Sequence, residues 1–142
     1  MARIVMKFGG TSVADLDRIR NVAQRVKAEI DRGNEVAVVV SAMSGTTNQL
    51  VEWCQNLSPL FDAREYDAVV ATGEQVTAGL TAIALQDLGL DARSWMGWQI
   101  AVETDGQHGK ARINSIEADE LVERMQGGQI DVYKRQGSWL RR

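Results

Sequence analysis

An α/β fold built on an open, mostly parallel sheet with helices on both faces is the class this sequence predicts. Three observations carry the prediction. Two short apolar runs, 3–8 and 36–40, each end in a loop of small residues. Each loop is followed by a helical pattern, so that strand, small-residue turn and helix recur as a unit. The run Val36-Ala37-Val38-Val39-Val40 is apolar at every position, as a parallel strand covered on both faces requires.

The elements follow in order. Arg3 to Phe8 stops at Gly9-Gly10, as a buried strand entering a tight turn does. Leu16, Ile19, Val22, Ala23, Val26 and Ile30 recur at spacings of three and four, predicting an amphipathic helix from Asp15 to Arg32 closed by Gly33. After the 36–40 strand, the loop Ser41 to Asn48 leads into a helix that ends before Pro59, because the residue ahead of a proline resists helical backbone. Tyr66 to Leu88 reads as one or two helices, with Gly73 as a break and Gly89 as a C-cap. Asp91 to Val102 reads as a strand containing Trp95 and Trp98, and Glu117 to Met125 as a short helix with acidic residues in its first turn.

Composition narrows the function classes. The chain has 142 residues, 44% of them hydrophobic and 25% charged, enough for one globular core without disordered bias. Lys134, Arg135, Arg141 and Arg142 stand against Asp131 alone after residue 130; subtracting that +3 from the net −3 leaves residues 1–130 at −6. Such a surface is unsuited to nucleic acid. One cysteine, Cys54, forms no internal disulfide and is expected in a buried helix, and the lone His108 is too far along the chain to pair with it in a metal motif. With no leader and no long apolar span recognised, the expected setting is cytoplasmic, with neither membrane nor nucleic acid as partner.

Four segments could carry chemistry. Lys7-Phe8-Gly9-Gly10-Thr11-Ser12 puts a lysine at a strand end and glycines where backbone can approach an anion, ahead of a helix N-terminus. It is not a Walker A loop, since the lysine precedes the glycines. The loop Ser41 to Asn48, with Gly45, Thr46, Thr47 and Asn48, can orient a small polar ligand or can simply cap the next helix. Glu74, in Thr72-Gly73-Glu74-Gln75, either is a solvated helix residue or pairs with the ammonium of an amino-acid substrate. Thr104 to Lys110 either turns a hairpin or approaches a ligand through His108, a base that an already ionised carboxylate substrate does not need.

In this order and spacing, Lys7-Phe8-Gly9-Gly10-Thr11-Ser12-Val13, Val39 to Asn48, Gly73-Glu74-Gln75 and Thr104 to Gly109 resemble aspartate kinase, a member of the amino acid kinase fold family, over residues 1–130. The resemblance implies transfer of the γ-phosphoryl group of ATP, carried with Mg²⁺, to the side-chain carboxylate of L-aspartate, the step that opens lysine, threonine and methionine synthesis. It implies that Lys7 contacts the transferred phosphate as the catalytic residue and that Phe8, Gly9, Gly10 and Ser41 form the phosphate side. It places Thr47 and Glu74 on aspartate, with Gly45, Thr46 and Asn48 beside them, supplies no protein ligand for the metal, and implies a homo-oligomeric parent.

From Asp131 onward the resemblance lapses, and Asp131 to Gln136 reads as translated adaptor sequence lacking strand-like alternation. The expected division is thus 1–130, the aspartate-binding part of a kinase domain incomplete at its C-terminus, and 131–142, an atypical basic tail. Since the nucleotide-binding half is expected beyond it, the isolated chain is expected to be inactive and to self-associate through an unpaired sheet edge. The alternative function is a non-catalytic module that binds an amino acid or phosphate, or a half-domain completed by a partner.

Overall fold

A computed structural model describes residues 1–100, 102–105 and 111–134, with Lys134 by its backbone alone. Four parallel strands form the main sheet: β1 (Arg3–Phe8), β2 (Glu35–Val40), β3 (Ala92–Trp95) and β6 (Ile130–Lys134), in the order β1-β2-β6-β3. A separate antiparallel pair joins β4 (Val102–Thr104) to β5 (Ile113–Ile116). The mostly parallel α/β class is as the sequence predicts.

The helices lie where the apolar periodicities put them. Helix α1 (Leu16–Asp31) starts at Asp15, whose side chain accepts the Arg18 N–H, and buries Ile19, Val22, Ala23 and Val26. Helix α2 (Thr46–Leu57) ends two residues before Pro59 and buries Cys54, as expected. Helix α3 (Ala63–Val70), capped by Asp62, runs almost directly into α4 (Thr72–Asp87), and α5 (Asp119–Gln126) opens with Asp119 and Glu120.

Alternation in the strands assigns the two faces. Phe8, Val36, Val38, Val40, Ala92, Ile130 and Val132 point to one face, where α1 and α4 cover them in a single core. The other face carries Trp95 and Tyr133, which pack with Ile100, Val102 and Leu121 of α5. Burying about 25 cal/mol for each Å² of apolar area on both sides of β2 and β6 makes these central strands the anchor of the fold.

Three expectations are corrected. Gly73 is not the break between helices: the junction is Ala71, and Gly73 sits buried in the first turn of α4. The strand expected over Asp91–Val102 ends at Trp95; Trp98 lies outside it and is 53% exposed, while Val102 begins β4. The segment after Ile130 does hold a strand, since Asp131 to Lys134 continue β6 between β2 and β3. The division drawn after Ile130 therefore falls inside a strand, and residues 135–142 lie outside the described residues.

By length and composition alone, Ala63–Asp87 is long and apolar enough to cross a membrane, a feature the sequence reading passed over. Its stripe of Gly73, Thr77, Ala78, Thr81, Ala82 and Leu85 is buried, as in a core helix. The buried hydroxyls of Thr77 and Thr81 donate to the carbonyls of Gly73 and Thr77 at 3.1 and 2.8 Å, so neither is left unsatisfied.

Candidate functional site

The parallel register brings the first two candidate segments side by side. Lys7 pairs in register with Val39 and Phe8 with Val40, and the Ser41 N–H donates to the Phe8 carbonyl at 3.1 Å. Both strands thus end at the same level, their loops leaving from the carboxyl edge where open α/β sheets collect ligands. Lys7 is exposed and forms no ion pair among the described residues, so its ammonium is available to an anion. Phe8 offers backbone only: its ring is 8% exposed in the core and its carbonyl is taken by Ser41.

Beyond β1 the backbone turns at once into a single 3-10 turn, Gly10–Val13, with Gly9 as its N-cap and the Ser12 N–H donating to the Gly9 carbonyl at 2.9 Å. Beyond β2, Gly45 is the N-cap of α2 at φ +81°, a left-handed conformation that a side chain would strain. Neither start is capped by a side chain, whereas α1 and α3 are capped by Asp15 and Asp62. The alternative reading, in which a side chain of this loop caps the next helix, is not what the fold uses. The Thr46 N–H donates to the Met43 carbonyl at 3.0 Å, which leaves the Thr47 and Asn48 amides of the first turn of α2 to a ligand, with the positive end of the helix dipole behind them.

The third segment closes on the second through packing. Gly73 lies against the loop: a β-carbon built on it would stand 3.0 Å from the Ala42 β-carbon and 3.4 Å from Thr46 Cγ2. Glu74 follows in the first turn of α4, half-buried, in the helix end that packs against the Ser41–Asn48 loop through Gly73. Lys7, Gly9, Gly10, Ser41, Gly45, Thr46, Thr47, Asn48 and Glu74 thus come from three segments that abut at one edge of the sheet.

The fourth segment is only partly placed. Thr104 ends β4, Asp105 Oδ1 accepts the Arg112 N–H at 3.2 Å, and β4 pairs with β5 as a hairpin, the turn reading among the two expected. His108, with residues 106–110, lies outside the described residues.

Among the described residues no group of three His, Cys, Asp or Glu is placed to hold a metal ion, so the donor set for a resident metal is lacking there. A cleft between α1 and α4, lined by Leu16, Ile19, Leu80 and Ile83 together with Arg20, Gln24 and Asp87, contains none of the candidate residues.

The sequence profile of the amino acid kinase family matches residues 2–134. The chain belongs to the amino acid kinase family. Within that family it is similar to the aspartokinase of Rickettsia felis, 49% identical over 93% of this chain and 34% of the relative. It also resembles the crystal structure of aspartate kinase from Synechocystis, with a TM-score of 0.80 and 38% identity, covering 94% of this chain and 21% of that one. The fold recurs in E. coli aspartokinase III, crystallised with aspartate and ADP, at a TM-score of 0.78 and 21% identity over 96% of this chain and 42% of that one. The chain spans about a third of the length of the curated relatives it matches. The family match runs through β6, beyond the expected division at 130.

Proposed function

We propose that this segment is the aspartate-recognition part of an ATP-dependent kinase that phosphorylates the side-chain carboxylate of L-aspartate to 4-phospho-L-aspartate. One observation carries the reading. A free lysine at a strand end, two helical starts without side-chain caps and one carboxylate at the start of α4 abut at the same sheet edge. The substrate that matches this set has anionic groups for the amides and lysine and an ammonium for Glu74.

In the proposed reaction an oxygen of the aspartate side-chain carboxylate forms a bond to the γ-phosphorus as the bond from that phosphorus to the β-phosphate bridging oxygen breaks, releasing ADP. The carboxylate is ionised at neutral pH, so no proton has to be removed. Lys7 would neutralise the oxygens of the group in transfer, while the Gly9–Gly10 turn lets backbone approach the phosphates with Ser41 beside it. Thr47 and the α2 amides would hold aspartate, flanked by Gly45, Thr46 and Asn48, and Glu74 would take its α-ammonium. Mg²⁺ is assigned to the nucleotide, whose phosphates it screens. A homo-oligomeric, cytoplasmic parent acting at the head of lysine, threonine and methionine synthesis is part of the same proposal.

The test separates binding from transfer. Calorimetric titration of the 142-residue chain with L-aspartate should give a signal that Glu74→Ala removes and Lys7→Ala keeps. In a full-length protein containing the segment, Lys7→Ala should lower turnover on the order of 10²- to 10³-fold with aspartate affinity retained. Unchanged turnover would sink the catalytic assignment of Lys7, and a signal indifferent to Glu74 would sink the aspartate site. Aspartate binding without turnover in that full-length protein would favour a binding module.

A further inference from the structure

Two glycines from separate motifs close on one residue. Ala42, 5% exposed in the loop between β2 and α2, has Gly73 against its methyl group and Gly10 against its carbonyl. A β-carbon on Gly73 would stand 3.0 Å from the Ala42 β-carbon and 3.4 Å from both Leu50 Cδ1 and Thr46 Cγ2. One on Gly10 would stand 3.0 Å from the Ala42 carbonyl oxygen and 3.8 Å from the Ser44 nitrogen. Carbon atoms pack best at about 3.5–4.0 Å, so a methyl added at Gly73 would push the loop or its neighbour away, while one added at Gly10 would crowd the Ala42 carbonyl oxygen.

We infer that Ala42 is a positioning residue, the common spacer that sets the Gly9–Gly10 turn and the Glu74 end of α4 at fixed distances from the start of α2. This inference rests on the proposed reading of the site and adds a determinant that touches no substrate. The two contacts differ in kind. The Gly73 side is set by a side chain, the Ala42 methyl, and yields if that methyl is removed. The Gly10 side is set by a backbone oxygen that every residue at position 42 retains.

That difference supplies the experiment, run on the 142-residue chain with L-aspartate as the probe in calorimetry and with melting temperature recorded for each variant. Gly73→Ala should weaken aspartate binding about tenfold, the scale of a sub-ångström misplacement. Its melting temperature should change little, because alanine's better helix propensity offsets the crowding. Adding Ala42→Gly should return the affinity of Gly73→Ala to that of Ala42→Gly alone. The same addition should fail to rescue Gly10→Ala. If Gly73→Ala does not fold, the Ala42→Gly/Gly73→Ala double variant should fold and bind.

The inference is overturned if Gly73→Ala binds like the unaltered chain, if Ala42→Gly does not rescue it, or if Ala42→Gly rescues Gly10→Ala equally. Absence of aspartate binding in the unaltered chain is a different failure. It removes the proposed site, and the positioning role with it.

Discussion

Asp131 should make the chain less stable as pH rises. Asp131 is 0% exposed in a central strand, and of its two carboxyl oxygens Oδ1 accepts the Trp95 indole N–H at 2.6 Å while Oδ2 has no partner among the described residues. Burial pushes its pKa above the ordinary 3.8; the Trp95 hydrogen bond and the charge of Arg124 on α5 pull it back, and Asp91 ahead of β3 adds to the rise. The folded chain therefore holds this proton over a pH range in which the unfolded chain has released it. The stabilisation is complete below 3.8 and is lost as pH climbs through the raised folded value, at about 1.4 kcal/mol per pH unit inside that window. Asp131→Asn keeps an oxygen for Trp95 and cannot ionise, so its stability curve should lack this slope. Urea unfolding followed by tryptophan fluorescence, from about pH 4 to about pH 8 at constant ionic strength, measures both chains. The stability of the natural chain minus that of Asp131→Asn should fall with pH. A difference that stays flat or rises would refute the reasoning.

Tyr133→Phe should stabilise the chain by about 1 kcal/mol, because the Tyr133 hydroxyl is buried without a partner among the described residues and its removal deletes an unrequited desolvation cost. Burial, and then the neighbouring Asp131, pushes the phenol far above its ordinary 10.0, so the hydroxyl itself does not titrate in the same denaturation series. A loss of stability in that series would mean that the hydroxyl is satisfied in solution. The outer edge of β1 is unpaired among the described residues and Val5 on it is 67% exposed, so sedimentation velocity should show concentration-dependent association. Val5→Lys should weaken that association about tenfold or more, and equal association in the variant would place the contact elsewhere.

Long apolar periodicities were legible in the sequence because each reports on a face that the chain itself completes. Ile19, Val22, Ala23 and Val26 need only a sheet to cover, and Val36 to Val40 need only helices on both sides; neither requirement names a particular partner. Trp98 was misplaced because aromatic content favours a strand, whereas the chain turns after Trp95 with the Gln99 N–H donating to the Met96 carbonyl at 2.9 Å. Strand β6 was missed at its own start. Counted from Asp131 its alternation is hidden, but Ile130 and Val132 together supply the two core-facing positions, and Asp131 and Tyr133 take the opposite face. The composition change after Ile130 is nonetheless physically felt, since among the described residues those two carry buried polar atoms without a partner.

Gly73 shows where local reading of a site stops. From sequence, a glycine ahead of Glu74 can loosen a helix or let another chain segment come close, and both uses share the same residue and the same neighbours. What decides between them is Ala42, part of a different motif, whose methyl group would be crowded by any side chain at position 73. With Ala71 helical in backbone, nothing has to break there, and close approach is the use that survives. The same contact that removes Gly73 as a hinge brings Glu74 to the Thr46–Asn48 start of α2. The separation of the carboxylate proposed for the ammonium from the loop proposed for aspartate is then set by packing between a glycine and an alanine, neither of which has a functional group to reveal it.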